Sequence, residues 1–387
     1  MKLKAFYFIM LFTYLNSYSQ SKVSRVLWNK VDNLPVEYAT INSNENYTIT
    51  NENGEFEFEK TSEKITIQNI AYQKLEIDYD FLIKNDTIYI EPNVYELDEV
   101  IIEKDSEFNN MLRTVLTDYA LEPHQEKFFL RATIKKNNQF YKIVDFSGHL
   151  EKQTLFDTRT KPMPKKNYIV QIDNIRKAGF ENREYDFELF SFKTLLNRIA
   201  STYLSPKIYN LSYEKSTINN FMKIIVTPKN KNETSTTGYY LVNESNNTFN
   251  EVYILNDDKD AEFDEIRDIK FRSPFLELKS NFKRNIKTNK LQLNQAIIKS
   301  KTEVYTKDGK DIFEVNYIFY ANPIPEPIKI KNNINLRKDM FELKGNYDSK
   351  YWEDNEILLL TKEMQEFINK VNTSNNKSDF RTQTNMK

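Results

Sequence analysis

Cysteine is absent from this 387-residue chain, which excludes disulfides, thiolate chemistry and a thiol-borne lipid anchor. Glycine occurs only six times, at 54, 148, 179, 238, 309 and 345. Dinucleotide fingerprints, phosphate loops and nucleophile elbows need closely spaced glycines, so none can be assembled and no nucleotide is expected. Histidine is confined to His124 and His149. Neither sign of charge dominates, with 55 basic residues against 56 acidic ones. Without a global positive field, a nucleic-acid partner is not expected. After the first twenty residues no run approaches the roughly twenty apolar residues of a membrane-spanning helix.

Aromatic residues are abundant. The chain has 24 Tyr and 27 Phe, side chains that suit a pleated, half-buried strand better than a helix. The length accommodates about two domains. At the start, Lys2 and Lys4 precede an apolar run from Ala5 to Leu15, and Ser17-Tyr18-Ser19 supplies small residues before Gln20. That plan predicts a signal peptide over residues 1–19, cleaved near Ser19 or Gln20, and an exported mature chain without a transmembrane helix.

Residues 22–103 alternate apolar and polar in short runs, such as Glu55-Phe56-Glu57-Phe58 and Ile65-Thr66-Ile67-Gln68, with turns such as Asn51-Glu52-Asn53-Gly54 between them. About seven strands in some eighty residues predict a β-sandwich. Several residues carry a resemblance in their order: Pro35-Val36, Ala39, Thr50 through Phe56, Ile70-Ala71-Tyr72 and Leu97-Asp98-Glu99-Val100-Ile101-Ile102. Together they resemble the carboxypeptidase regulatory-like domain, a transthyretin-like sandwich of exported Bacteroidetes proteins. The usual first-strand glycine is missing near Ser24-Arg25-Val26, and Ala71 stands for the usual glycine before Tyr72. The resemblance covers about one fifth of the chain and implies a periplasmic or outer-membrane-associated accessory module, not an enzyme. In that group the module often precedes a transporter plug and barrel. Here the remaining stretch of about 285 residues lacks a plug-like segment and is too short for one.

Residues 104–372 read as a larger antiparallel β-rich domain, a curved sheet or half-barrel, with helices near 105–120, 186–201 and 361–372. Phe108, Met111, Leu112, Val115, Leu116 and Tyr119 form the stripe of the first helix. Runs at 128–135 and 140–150 predict a hairpin, and Asp308-Gly309 marks another between 292–305 and 312–320. Further strands are expected at 222–227, 239–242, 249–255, 266–271 and 275–282. Pro323, Pro325 and Pro327 form a stiff connector. The polar tail, 373–387, is expected to be disordered. The fold class is therefore mainly β with a few helices.

Few residues suggest chemistry. His124, Glu126 and His149 could supply zinc ligands, but His124-Gln125-Glu126 has one intervening residue where the carboxypeptidase pattern needs two. Asp145, Ser147 and His149 share one strand face and have the residue types of a hydrolase triad, although their spacing is wrong for a relay. Asp257, Asp258, Asp260, Glu262, Asp264, Glu265 and Asp268 are either calcium ligands or a solvated loop. Lys161, Lys165, Lys166, Arg176, Lys177 and Arg183 either touch anionic headgroups or solubilise. A Tyr/Phe-lined concave sheet could hold an acyl chain, or its rings could simply form the core. The expectation is a non-enzymatic envelope protein with no catalytic, cofactor or metal site. It would be periplasmic or peripheral to the outer membrane and bind an envelope protein, glycan or lipid. A lipid carrier is the alternative and a metal-dependent hydrolase the least favoured reading.

Overall fold

The computed structural model describes residues 22–43, 46–69, 71–93, 97–101, 118–158, 161–182, 187–216, 220–246, 248–266, 269–307, 309–374 and 380–386. The signal peptide (1–19), most of the first predicted helix (105–117), Arg183 and Asp268 lie outside these residues. Among the described residues the protein is mainly β, 52% strand against 12% helix, with four helices and one large open antiparallel sheet. The chain divides into two compact units, one of residues 1–93 and 355–361 and one of residues 94–354 and 362–387.

In the smaller unit, β1 (Lys22–Asn29), β4 (Glu55–Glu59) and β7 (Thr87–Ile90) form a three-stranded sheet in the order β4-β1-β7. A four-stranded sheet runs β3-β2-β5-β6, from β2 (Thr40–Asn42), β3 (Tyr47–Ile49), β5 (Ile65–Gln68) and β6 (Leu75–Ile77). Alternation places Phe56 and Phe58 of one sheet and Ile41, Ile65 and Ile67 of the other in one core, with Leu27 and Ile88. A two-sheet sandwich results. Helix α1 (Tyr79–Lys84) adds Leu82 to the same core.

The Asn51–Gly54 turn shows why that glycine is there. Gly54 has φ of +73°, and a Cβ on it would lie 2.4 Å from the Leu27 carbonyl oxygen. The Gly54 carbonyl in turn accepts the Leu27 N–H at 2.8 Å. A left-handed backbone and a close strand approach coincide, and only glycine fits both.

The larger unit is built on one sheet. Its path runs β20-β11-β10-β9-β19-β18-β17-β15-β14-β13-β12-β8. In chain order the members are β8 (Leu97–Ile101), β9 (His124–Lys136), β10 (Gln139–Lys152), β11 (Tyr168–Asn182), β12 (Tyr209–Ser216), β13 (Phe221–Pro228), β14 (Thr236–Asn243), β15 (Thr248–Asp257), β17 (Ile269–Arg284), β18 (Leu291–Thr306), β19 (Gly309–Pro323) and β20 (Phe380–Thr384), while the short β16 (Asp264–Ile266) pairs with β17. Asn137 and Asn138 both take positive φ, 50° and 65°. Two such residues make the tight hairpin between β9 and β10.

Four expectations need correction. Residues 97–101, read as the close of the sandwich, pair as β8 with β12 in the large sheet. The unit boundary therefore falls near residue 93 and not at 103. The strands expected at 266–271 and 275–282 are largely one strand, β17, whose pairing with β18 shifts between Arg272 and Phe275. Pro274 cannot donate to a ladder, and an irregularity accommodates it. Three strands were missed, β11, β12 and the short β16. The tail is not featureless either: β20 pairs with the Ala178–Asn182 end of β11, because ladder bonds come from backbone and need no apolar composition.

Among the described residues, three helices accompany the sheet. Helix α2 (Phe192–Ala200) starts where the Ser191 side chain accepts the Thr194 N–H, so 187–191 precede the helix predicted from 186. Helix α3 (Ser349–Asn355) carries Tyr351 and Trp352, and α4 (Lys362–Thr373) buries Met364, Phe367, Ile368 and Val371.

Candidate functional site

Alternation gives the large sheet two faces. One, here the inner face, carries Phe128, Leu130, Ala132 and Ile134 of β9 with Val144 and Phe146 of β10. Helix α2 packs on it: the Phe192 ring lies 5.8 Å from Phe128 and 5.1 Å from Phe146. Just past the helix, the Tyr240 hydroxyl of β14 donates to the Thr202 carbonyl at 2.8 Å and accepts the Leu204 N–H at 2.9 Å. Strands β10 and β14 are six steps apart in the sheet, about 29 Å at ~4.8 Å per strand. One short helix and its exit reach both, so the sheet curls around α2.

The aromatic wealth is used in this space. Phe187 stacks on Phe313 at 4.4 Å and Phe190 on Tyr317 at 5.0 Å. The Tyr317 hydroxyl accepts the Phe190 N–H at 2.7 Å. Tyr119 packs against Phe156 and Phe282, both at 5.4 Å, and donates to the Phe249 carbonyl at 2.6 Å. Burial pushes the Tyr119, Tyr240 and Tyr317 hydroxyls above their ordinary range. Each therefore stays a neutral hydroxyl whose hydrogen bond fixes a loop to the sheet. These rings form core.

The zinc candidates do not converge. His124 and Glu126 project from the inner side of β9, whereas His149 is on the outer side of β10 with Asp145 and Ser147. The His124 Nδ1 lies 2.8 Å from the Glu122 carbonyl oxygen, which assigns the proton to Nδ1. Its buried Nε2 lies 3.7 Å from Glu126 Oε1, and Glu126 Oε2 is 2.7 Å from Lys152 Nζ. Burial lowers the His124 pKa, Glu126 opposes this and Lys152 adds to it. His149 Nδ1 instead sits 2.9 Å from Asp173 Oδ2. No group of three or more metal-ligating side chains occurs among the described residues.

The triad candidates share a face, as their spacing predicts, but each has another partner. Asp145 is fully buried and receives both Arg131 Nε and Nη2 at 2.9 Å and Arg176 Nε at 2.7 Å. Burial would raise its carboxyl pKa, yet the two guanidiniums outweigh it and hold the group below the usual range. Trp352 covers Arg176 at 4.6 Å, and Met364 Sδ lies 3.8 Å from Arg131 Nη1. Ser147 hydrogen-bonds Tyr351. Asp145 thus joins three strands and two helices to one another.

Arg176 and Lys177, read as possible headgroup contacts, are internal. Arg176 is bound to Asp145. Lys177 donates to the carbonyls of Phe341 and Leu343, and burial lowers its pKa. Lys165 and Lys166 are exposed.

The acidic stretch runs from the end of β15 through a surface loop into β16, and Arg272 helps to hold it. Arg272 donates to the Lys259 carbonyl at 3.1 Å and to Glu303 Oε2 at 2.8 Å, and its guanidinium sits 5.2 Å from the Phe263 ring. Asp264 and Glu265 enter β16 with exposed side chains. Glu303 also accepts from Lys310 at 3.0 Å and Tyr305 at 2.9 Å. The Arg272 hydrogen bond, aided by these two against burial, lowers the Glu303 carboxyl to about 2.

No protein-family model matches the sequence, and no curated protein matches it. Among solved structures, 55% of the chain is similar to 26% of a chain described under "Lipid-protein interactions in lipovitellin", at 7% identity and a TM-score of 0.25. The chain thus spans about a quarter of that protein's length. A second likeness, to a structure of MucB in complex with MucA(peri), covers 57% of this chain and 94% of that one, at 8% identity and a TM-score of 0.17. A third, to a chain of the Pseudomonas aeruginosa MucA/MucB complex, covers 57% and 100%, at 8% identity and a TM-score of 0.16. Likenesses with TM-scores this low carry no argument.

Proposed function

We propose that this chain is an exported cell-envelope protein that binds or scaffolds a partner through its folded surfaces and performs no catalysis. The observation that carries the reading is the filled inner face of the large sheet. Phe187, Phe190, Phe192 and Tyr119 occupy the space where a lipid carrier would hold its cargo. Conserving that space would require a void, and a void costs packing energy that these rings supply. The carrier reading is therefore second. The hydrolase reading is third, since His124 and His149 belong to opposite faces of the sheet.

The smaller unit is proposed to be a transthyretin-like module of the carboxypeptidase regulatory-like kind. Its three-stranded and four-stranded sheets and its Gly54 turn support that reading. Export is supported by the signal-like first nineteen residues.

Fractionation of cells expressing the full chain, with N-terminal sequencing of the product, tests the location. An envelope-bound product starting near residue 20 supports export, whereas an uncleaved product in the cytosol defeats it. Crosslinking in those envelopes, with recovered proteins, glycans and lipids analysed together, then tests the binding role. A specific envelope partner is the expected result, and recovery of cytosolic proteins alone overturns it.

A further inference from the structure

The ends of the large sheet's strands form two rims of contrasting charge. At one rim, residues 257–265 hold six acidic side chains and one lysine. At the other, the described residues of the 153–167 loop, the 285–290 turn and the 324–331 segment carry seven basic side chains and two acidic ones, and Asp118 and Glu122 beside them bring the acidic count to four. In a chain of net charge −1, that separation concentrates positive charge at one end. The segments are tied together there: Lys287 pairs with Glu326, Gln125 exchanges hydrogen bonds with the Ile328 backbone at 2.9 Å, and Lys161 pairs with Glu122. The neighbouring Asp118 carboxylate is 3.6 Å from Arg284.

Ile286 stands at the tip of the turn between β17 and β18, 97% exposed. The turn is stiff. Asn285 Oδ1 accepts the backbone N–H groups of Lys287 and Thr288 at 2.9 and 3.2 Å, and the Asn285 N–H donates to the Lys290 carbonyl at 2.8 Å. Arg284 donates to the Asn289 carbonyl at 2.6 Å. An isolated exposed apolar side chain needs no explanation. This one projects from a braced turn that also carries Lys287 and Lys290, with Ile328, 42% exposed, on the adjoining segment.

We propose that this basic rim docks on an anionic lipid surface, with Ile286 entering the headgroup–acyl boundary and the surrounding lysines facing lipid phosphates. A projecting apolar tip with Lys287 and Lys290 in the same turn matches the layered chemistry of a bilayer interface. The inference deepens the envelope reading by naming the surface met there, but its test uses purified protein and does not depend on export.

Co-sedimentation of the purified full chain with vesicles provides that test, comparing pure phosphatidylcholine with mixtures containing phosphatidylglycerol. Binding is expected only with the anionic lipid and should weaken between 0.1 and 0.5 M salt as the Debye length shortens from about 10 Å to a few ångströms. Ile286→Asp, and separately the pair Lys287→Glu and Lys290→Glu, should each lower the binding constant about tenfold or more. Glu262→Gln on the opposite rim should leave it unchanged, and unaltered circular dichroism shows that the variants fold. Absence of binding, equal binding to both lipids, or anionic binding that survives both rim variants overturns the proposal. The export reading stands or falls separately, on fractionation.

Discussion

The smaller unit closes over Leu27, Ile41, Phe56, Ile67 and Ile88, and the buried polar side chains among its described residues are all Thr or Asn. The larger unit instead buries Glu126, Arg131, Lys142, Asp145, Lys152 and Arg176 within strands β9, β10 and β11. A sandwich of two small sheets needs only apolar contact between its layers. The large open sheet must also hold helices on its outer face. There Asp145 links Arg131 and Arg176 beneath Trp352 and Met364. The difference teaches that hydrophobic pattern specifies the first unit, whereas fixed polar partners give the second its particular arrangement.

Each unit carries one of the two tryptophans, Trp28 and Trp352, so fluorescence can follow them separately. The largest effect is expected for Asp145→Ala. It leaves two buried guanidiniums uncompensated and should destabilise the larger unit by about 3–5 kcal/mol, read from Trp352 in a Trp28→Phe background by urea unfolding. Equal loss in the Trp28 signal of a Trp352→Phe background would break the distinction between the units. Ile67→Ala, which removes a fully buried side chain, should cost about 3 kcal/mol in the smaller unit through lost transfer and a cavity, read from Trp28. Gly54→Ala should cost the same unit about 1–2 kcal/mol, since it combines a left-handed backbone with a clash against the Leu27 carbonyl.

A smaller effect concerns acid. Glu303 has its pKa lowered from 4.5 to about 2 on folding. The folded state binds this proton less readily, so the stabilisation is present above pH 4.5 and is lost as pH falls towards 2. Glu303→Gln should flatten the acid limb of larger-unit stability in that window. An unchanged acid limb would show that the Arg272 cluster contributes nothing.

The same contrast decides what could be read from sequence. The sandwich was legible because its strands alternate strictly, as Glu55-Phe56-Glu57-Phe58 does, and its main turn contains glycine. Strand β11 was not. Its run Asp173-Asn174-Ile175-Arg176-Lys177 looks like a polar loop, because the buried partner of Arg176 lies 31 residues away on β10. Leu97–Ile101 reads as a strand in either unit, and only its pairing with β12 assigns it. The two histidines were separable on sequence alone, since 124 and 149 fall on different strands, but which faces they take depends on the register of β9 against β10. The basic rim was half legible: Lys161, Lys165 and Lys166 stand out, whereas Arg176 and Lys177 look alike in sequence and are internal.

Titration of the purified full chain with a fluorescent fatty-acid analogue, in the absence of vesicles, addresses the occupied interior most directly. The packing of α2 and its aromatic neighbours predicts no saturable uptake, and Phe192→Ala should be needed to create any. Saturable binding of one analogue per native chain, displaced by unlabelled fatty acid, would contradict it and make the protein a carrier.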